Sequence, residues 1–145
     1  MKIVVDTNII FSSLLNVNST ISTLLFNSTG RLEFYSCAYM QTEIERHWPK
    51  LLKISRLTEH QLRVSYQNLL LKIQFIHEGM IPPATWATAE ALVRDIDPDD
   101  IDFVALAHFL EAGLWTGDKP LRDGLRQRNF EQVYTTADLL ELRVG

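Results

Sequence analysis

A short apolar run that stops abruptly at an acidic residue is the feature of this chain that most constrains its fold. Ile3, Val4 and Val5 are β-branched, and Asp6 follows them directly. Such a run predicts a short buried strand, because branched side chains pack well on a pleated surface. In an open α/β sheet, ligands bind beyond the carboxyl ends of the strands. The position of Asp6 therefore indicates either a functional carboxylate or a cap for the helix that follows.

Strand and helix patterns alternate along the rest of the chain. Further strands are predicted at residues 32–37, 74–77, 113–116 and 132–135. Helices are predicted at residues 7–15 with Thr7 or Asn8 as the cap, and at 20–30, 39–48, 58–73, 84–94, 97–110, 121–128 and 137–142, with Pro49 as a break after the third. Strands that alternate with helices predict a mainly parallel sheet covered by helices on both faces.

Length and composition fit one globular domain. The chain has 145 residues, of which 46% are hydrophobic, and its apolar runs are too short to span a membrane. The N-terminus lacks a signal-peptide pattern, and the single cysteine, Cys37, excludes an internal disulfide, so we expect a protein of the reducing cytoplasm. The net charge of −4 argues mildly against a basic nucleic-acid clamp but not against a metal-dependent enzyme.

Acidic residues recur at positions where they can share a site. Asp118 follows a later predicted strand, so Asp6 and Asp118 would face one crevice if the two strands are neighbours. An acidic cluster at residues 97–102 begins a helix, and Glu43 and Glu45 lie on the helix after the second strand. Oxygen ligands gathered from several elements suit a hard cation, Mg²⁺ or Mn²⁺.

Each acid also has a purely structural interpretation. Asp6 can cap a helix, Asp118 can belong to a turn, and the cluster at 97–102 can stabilise a helix N-terminus. Glu43 and Glu45 can be solvated charges, and helical geometry does not choose between them. The joint arrangement favours a site, because mutual repulsion destabilises such a pocket in the absence of a cation.

Three basic residues follow Asp118 near helical spacing: Lys119, Arg122 and Arg126. They can contact nucleic-acid phosphates or form a solvated helix face, and both interpretations stay open. The chain contains no glycine-rich phosphate loop, dinucleotide fingerprint or G-x-S-x-G motif. Nucleotide-dependent and serine-hydrolase chemistry therefore have no support in the sequence.

Taken together, these segments resemble the PIN-domain nucleases, including the VapC-type toxins of toxin–antitoxin systems. The matching segments, in the family's order, are VVDTNII at residues 4–10, TEI at 42–44, DDIDFVALA at 99–107 and WTGDK at 115–119. The resemblance implies one domain over residues 1–145, with a three-layer α/β/α sandwich around a mainly parallel sheet. It also implies hydrolysis of RNA that depends on Mg²⁺ or Mn²⁺.

The resemblance further implies roles for individual residues. The catalytic, metal-binding acids would be Asp6, Glu43, Asp100 and Asp118, which chooses Glu43 over Glu45. Residues that orient the carboxylates or bound water would be Thr7, Asn8 and Thr116. Asp102 would be an extra ligand or a surface charge. The residues that bind RNA would be Lys119, Arg122 and Arg126.

We therefore expect a metal-dependent ribonuclease that acts as the toxin of a toxin–antitoxin pair. The alternatives are a catalytically inactive interaction domain of the same fold and a nuclease that acts on DNA. The expected partners are RNA and, by family analogy, an antitoxin. The apolar residues of the helix at 58–73 fit either the core or a homodimer interface, and no association with a membrane is expected.

Overall fold

The computed structural model describes residues 1–28 and 30–144. Its strands are β1 (Lys2–Val5), β2 (Glu33–Cys37), β3 (Ile73–Ile76), β4 (Gly113–Trp115) and β5 (Val133–Tyr134). Its helices are α1 (Thr7–Leu15), α2 (Thr20–Asn27), α3 (Ala38–Arg46), α4 (Trp48–Ser55), α5 (Glu59–Leu70), α6 (Pro83–Val93), α7 (Ile101–Leu110), α8 (Lys119–Gln127) and α9 (Thr136–Val144). Thr29 and Gly145, which belong to the predicted domain 1–145, lie outside the described residues.

The five strands form one parallel sheet in the order β3-β2-β1-β4-β5. At its centre, Val4 of β1 is level with Tyr35 of β2, and Val5 is level with Trp115 of β4. The chain moves from β1 to one edge through β2 and β3, and then returns to the other side of β1. The strand order therefore reverses between β1 and β4, which is the topological switch point where parallel α/β sheets form a ligand crevice.

Helices cover both faces of this sheet, which makes the three-layer α/β/α sandwich that the sequence predicts. The helix α1 contacts α2, α3, α4 and α5, whereas α6 contacts α7 and α8, and α7 also packs on β1, β2 and β4. The apolar residues Ile3, Val4 and Val5 are completely buried, as expected for a strand covered on both sides. The Trp115 ring, also completely buried, lies 5.7 Å from the Phe34 ring between centroids.

Two of the helix predictions are wrong in detail at a proline. The sequence predicts a helix at residues 39–48 with a break at Pro49, but α3 already ends at Arg46, and Pro49 lies in the first turn of α4. A proline is tolerated there because the first N–H groups of a helix have no partner within the helix. The helix predicted at 97–110 begins as a short 3₁₀ turn, Pro98–Asp100, and becomes α7 only at Ile101.

The helix predicted at 58–73 is shorter in the structure, because α5 ends at Leu70 and Ile73 begins β3. A reciprocal pair of hydrogen bonds between Thr58 and Gln61 caps α5 at its N-terminus. Its buried side chains, Leu62, Tyr66 and Leu69, belong to the core. Among the described residues, no single helix is long and apolar enough to cross a membrane. The helices α1 and α2 meet such a criterion only as a pair, with a bend of 107° between them.

Candidate active site

Asp6 is the first residue beyond β1 and is only 3% exposed. Its N–H extends the ladder by donating to the Trp115 carbonyl at 3.4 Å. One carboxylate oxygen, Oδ1, accepts the Ile9 N–H at 3.1 Å, so Asp6, rather than Thr7 or Asn8, caps α1. A carboxylate has about four acceptor positions, so a helix cap leaves room for a further ligand.

Thr116 and Asp118 lie beside Asp6 because β4 neighbours β1. The Thr116 hydroxyl, 2% exposed, accepts the Asp118 N–H at 3.1 Å, and its hydrogen bond to Asp6 lowers the pKa of that acid. Asp118 in turn caps α8, since its Oδ1 accepts the Leu121 N–H at 3.1 Å. One buried hydroxyl thus joins the acids that follow two adjacent strands.

Glu43 and Glu45 lie in different environments, although both are on α3. The Thr7 hydroxyl donates to Glu43 Oε1 at 2.5 Å, which holds Glu43 next to the residue that follows Asp6. Glu45 instead accepts from Arg63 of α5 at 2.6 and 3.2 Å, and the same guanidinium stacks 3.7 Å above the Trp48 ring centre. The structure therefore brings Glu43, and not Glu45, to the acids at the switch point.

Asp100 ends the 3₁₀ turn that precedes α7, and its side chain makes no capping hydrogen bond. Oxygens of Asp97, Asp100 and Asp118 all lie within 4.8 Å of one another. For Asp97, the sequence pattern predicts only a place at the start of a helix. Its Oδ1 accepts the Asp99 N–H at 3.1 Å and so begins the 3₁₀ turn.

A signal for Asp97 was present in the sequence. Residues three apart eclipse each other in a 3₁₀ helix, so an acid that begins such a turn lies near the acid that ends it. The proximity of Asp97 and Asp100 follows from the sequence only if residues 97–100 form a 3₁₀ turn rather than an α-helix.

The electrostatics of the site are those of acids crowded together and removed from water. Burial, and to a lesser degree the charges of Asp118 and Glu43, raise the pKa of Asp6 to about 6. Burial, followed by the charge of Asp97 and then that of Asp6, raises the pKa of Asp100 to about 8. Both pKa values are shifted in the direction that burial next to other acids causes.

The other predicted site residues are more dispersed. Asn8 is exposed and lines a cavity of about 360 Å³ between α1 and α4. Lys119 is exposed directly after Asp118, whereas Arg122 bonds to Asp123 at 3.2 Å. Arg126 donates to the Val133 carbonyl at 2.7 Å, so it also braces β5.

Asp102 lies next to a different set of side chains. Its carboxylate approaches Cys37 and Glu78, and ligand atoms of the three residues lie within 4.8 Å of one another. Burial, and then the charge of Glu78, raises the pKa of Asp102 to about 6, with a smaller contribution from Glu43. Asp102 therefore borders the candidate active site without belonging to its central group.

A further cavity, of about 480 Å³, opens at the opposite edge of the sheet. It is lined by residues that precede β4 and β5, among them His108, Glu111 and Glu131. None of the acids at the switch point lines this cavity.

Fold and site together describe a parallel α/β protein with a cluster of carboxylates near its switch point. The family model of the PIN domain matches residues 4–138. This match covers most of the chain, which therefore belongs to the PIN domain family, a family of nucleases.

Solved structures agree with this fold. One is the crystal structure of VapBC2 from Rickettsia felis bound to a DNA fragment from its promoter. The alignment covers 93% of this chain and 97% of that chain, with 12% sequence identity and a TM-score of 0.62. PAE2754 from Pyrobaculum aerophilum is 11% identical, covers 100% of this chain and 91% of that chain, and has a TM-score of 0.69. At these identities the similarity concerns the fold alone. None of the curated proteins matches the chain significantly.

Proposed function

We propose that this PIN domain is an endoribonuclease that depends on Mg²⁺ or Mn²⁺, with Asp6, Glu43, Asp100 and Asp118 as its catalytic, metal-binding acids. The observation that carries the proposal is that charges from separate elements act on one another at a single crevice. The pKa of Asp6 responds to Glu43 and Asp118, and the pKa of Asp100 responds to Asp6 and Asp118. Such an arrangement is unfavourable without a compensating cation.

The chemistry of the donor set fits this class of ion. All four acids offer oxygen, which Mg²⁺ and Mn²⁺ prefer, whereas zinc sites normally include nitrogen or sulfur. When bound, such an ion would polarise a substrate phosphate and make a nearby water more acidic. Asp97 is a fifth candidate ligand, because its carboxylate lies within 4.8 Å of Asp100 and Asp118.

Neighbouring hydroxyl groups of the chain would hold the acids in position. Thr7 restrains Glu43, and Thr116 connects Asp6 to the backbone of Asp118. Side chains that are already held by hydrogen bonds lose little freedom when a ligand binds, which favours a defined geometry for the reaction. Hydrolysis at such a centre is expected to leave 5′-phosphate and 3′-hydroxyl ends.

Basic side chains near the crevice would bind the RNA backbone. Lys119 is exposed and follows Asp118 directly, so it is the candidate best placed for phosphate contact. Arg122 and Arg126 would contribute from the same helix, although Arg126 is engaged with the Val133 carbonyl. Asn8 and Thr116 would orient bound water or carboxylates, as the resemblance implies.

The direct test compares RNA and DNA oligonucleotides of the same sequence, each with Mg²⁺, Mn²⁺ or a chelator. We expect cleavage of RNA with either metal, no cleavage with the chelator, and none by Asp118→Asn. The asparagine keeps an oxygen for the Leu121 N–H, so the cap of α8 survives. Asp95→Asn is the matched control, because Asp95 has a side chain that is 79% exposed.

Other results would contradict the proposal in distinguishable ways. Preferential cleavage of DNA would identify a DNA nuclease of this fold. Folded protein without cleavage of either polymer would favour an inactive interaction domain. RNA ends that carry 2′,3′-cyclic phosphate, or full activity in Asp118→Asn, would exclude the assigned chemistry.

We also propose that the protein is the toxin of a toxin–antitoxin pair in the cytoplasm, with residues 1–145 as one domain. Support comes from the fold, which resembles a protein that was crystallised as VapBC2 with promoter DNA. Expression in a bacterial host should arrest growth for the wild type but not for Asp118→Asn, and co-expression of a neighbouring antitoxin gene should restore growth. The oligomeric state, including a homodimer, can be measured by light scattering of the same preparations.

A further inference from the structure

A second cluster of potential metal ligands lies beside the candidate active site and combines sulfur with oxygen. Cys37 is the last residue of β2 and is completely buried. Glu78 begins the short 3₁₀ turn Glu78–Met80 that follows β3, and Asp102 lies in the first turn of α7. The Cys37 sulfur and an oxygen of each carboxylate lie within 4.8 Å of one another.

Ordinary structural roles account for only part of this cluster. Glu78 Oε1 accepts the Ala38 N–H at 2.9 Å, which satisfies an amide at the start of α3 but leaves the second oxygen of the carboxylate. Cys37 occupies the N-cap position of α3, yet its side chain makes no capping hydrogen bond. The sulfur is a buried potential ligand that lies close to two acids, and the N–H groups of Tyr39 and Met40 in the first turn of α3 also act on it.

The surroundings of Cys37 favour the neutral form of its thiol. Burial, and then the charge of Glu78, raises the pKa of the Cys37 thiol to about 12. Oxygens of Glu78 and Asp102 lie within 4.8 Å of each other and of the sulfur, so one cation could contact all three groups. A divalent cation bound there would stabilise the thiolate.

We propose that Cys37, Glu78 and Asp102 form a second metal site, which binds a borderline-soft divalent cation such as Zn²⁺. A thiolate with two carboxylates gives three of the four ligands of a tetrahedral ion and leaves one position for water. Atoms bound to one such ion lie about 3.5 Å apart, so small side-chain rotations would bring the present cluster to that geometry. Sulfur makes the site chemically distinct from the all-oxygen centre at the switch point.

Such an ion would connect the elements that deliver two of the candidate catalytic acids. Cys37 immediately precedes α3, which carries Glu43, and Glu78 accepts the N–H of the first residue of that helix. Asp102 lies two residues after Asp100. The second site would therefore stabilise the relative position of α3 and α7. Its existence does not depend on whether the protein cleaves RNA.

Cadmium is a suitable probe, because a cadmium–thiolate bond absorbs in the ultraviolet and the chain has a single cysteine. Any such absorption must therefore report Cys37. Purified wild-type protein should develop the absorption with saturation at one equivalent of Cd²⁺. Competition with Zn²⁺ should remove it, whereas Mg²⁺ should not.

Two conservative variants test the carboxylates while the thiol is retained. Glu78→Gln keeps an oxygen for the Ala38 N–H, and Asp102→Asn preserves the shape of its side chain. We expect each variant to bind Cd²⁺ at least about tenfold more weakly. Loss of a residue that only orients a metal ligand already lowers metal affinity by about that factor, and loss of a ligand itself should lower it at least as much. Circular dichroism would show that each variant is folded, and Asp6→Asn serves as the matched control that leaves the thiol cluster intact.

Three results would overturn the proposal. The absorption can be absent from folded wild-type protein at saturating Cd²⁺. A second is absorption that persists with unchanged Cd²⁺ affinity in both Glu78→Gln and Asp102→Asn, which would mean that the thiol binds the ion without the two carboxylates. The absorption can also disappear in Asp6→Asn, which would mean that the sulfur shares an ion with the other centre.

Discussion

Replacing Asp6 by asparagine should stabilise the metal-free protein at high pH, although Asp6 is a candidate catalytic residue. The Asp6 carboxylate is 3% exposed and lies among other acids, which raise its pKa beyond the effect of burial. An asparagine has nearly the same shape and keeps an oxygen for the Ile9 N–H, so the cap of α1 is preserved. The substitution therefore removes a buried charge and little else.

The magnitude follows from the difference between the folded and unfolded pKa values of Asp6. Its pKa is about 6 in the folded protein and 3.8 in the reference state, a difference of about two units. At 1.36 kcal/mol per unit, the ionised carboxylate reduces the free energy of unfolding by up to about 3 kcal/mol. This is an upper value, because neighbouring acids can take up a proton when Asp6 loses one.

The direction of the pH dependence follows from proton binding. Because the folded-state pKa of Asp6 is raised, the native protein holds more protons than the unfolded chain between about pH 4 and pH 6. The contribution of Asp6 to the free energy of unfolding is therefore fully present below pH 4 and is lost as the pH rises through 6. The advantage of Asp6→Asn should be small near pH 4 and should approach about 3 kcal/mol near pH 8.

Urea unfolding in the presence of a chelator, at both pH values, measures this difference. Asp95→Asn makes the same chemical change at a side chain that is 79% exposed, and we expect it to shift stability by less than about 0.5 kcal/mol at either pH. Addition of Mg²⁺ should reverse the order at pH 8, because only the wild type keeps the full ligand set. A difference between Asp6→Asn and wild type that does not change with pH would refute the reasoning.

Three further predictions concern activity and substrate binding. Glu43→Gln should reduce metal-dependent RNA cleavage at least about 100-fold. Glu45→Gln should leave the cleavage rate unchanged and slightly lower the melting temperature, because it disrupts the pair with Arg63. Equal cleavage rates in the two variants would contradict the assignment of Glu43. In single-turnover assays, Thr7→Val should reduce the rate of RNA cleavage by about 10- to 100-fold, because Glu43 would lose the hydrogen bond that positions it. Thr7→Ser keeps the hydroxyl and should retain the wild-type rate. Lys119→Ala should reduce the salt dependence of RNA binding by about one charge, and loss of affinity without a change in that slope would exclude a phosphate contact.

The sequence predicts the parts of the fold that depend on local pattern. Residues 3–5 and 113–115 are apolar throughout because both sheet faces are covered, and that pattern indicates parallel strands without any knowledge of the partners. Pro49 shows the limit of such reasoning, because proline both ends helices and occupies their first turn, and only the surrounding packing decides between the two.

Relations between distant residues are harder to predict than the elements themselves. Position on α3 does not distinguish Glu43 from Glu45, and their partners, Thr7 and Arg63, come from other helices. The resemblance to a family made that choice, and the hydrogen bonds supply a physical reason for it. The approach of Glu78 to Cys37 similarly depends on the pairing of β3 with β2, which no local pattern specifies.

For both Asp6 and Asp118, the helix cap that the structure shows and the proposed role as a metal ligand are compatible and support each other. Each acid follows one of two neighbouring strands, and one of its oxygens accepts an N–H from the first turn of a helix. The cap fixes the carboxylate before any ion arrives, so that a repulsive arrangement is held in place by backbone hydrogen bonds rather than by the ion. An acid at the end of a strand is therefore useful at a switch point because the following helix can hold it there, and the stability lost through burial of its charge is what a cation would restore.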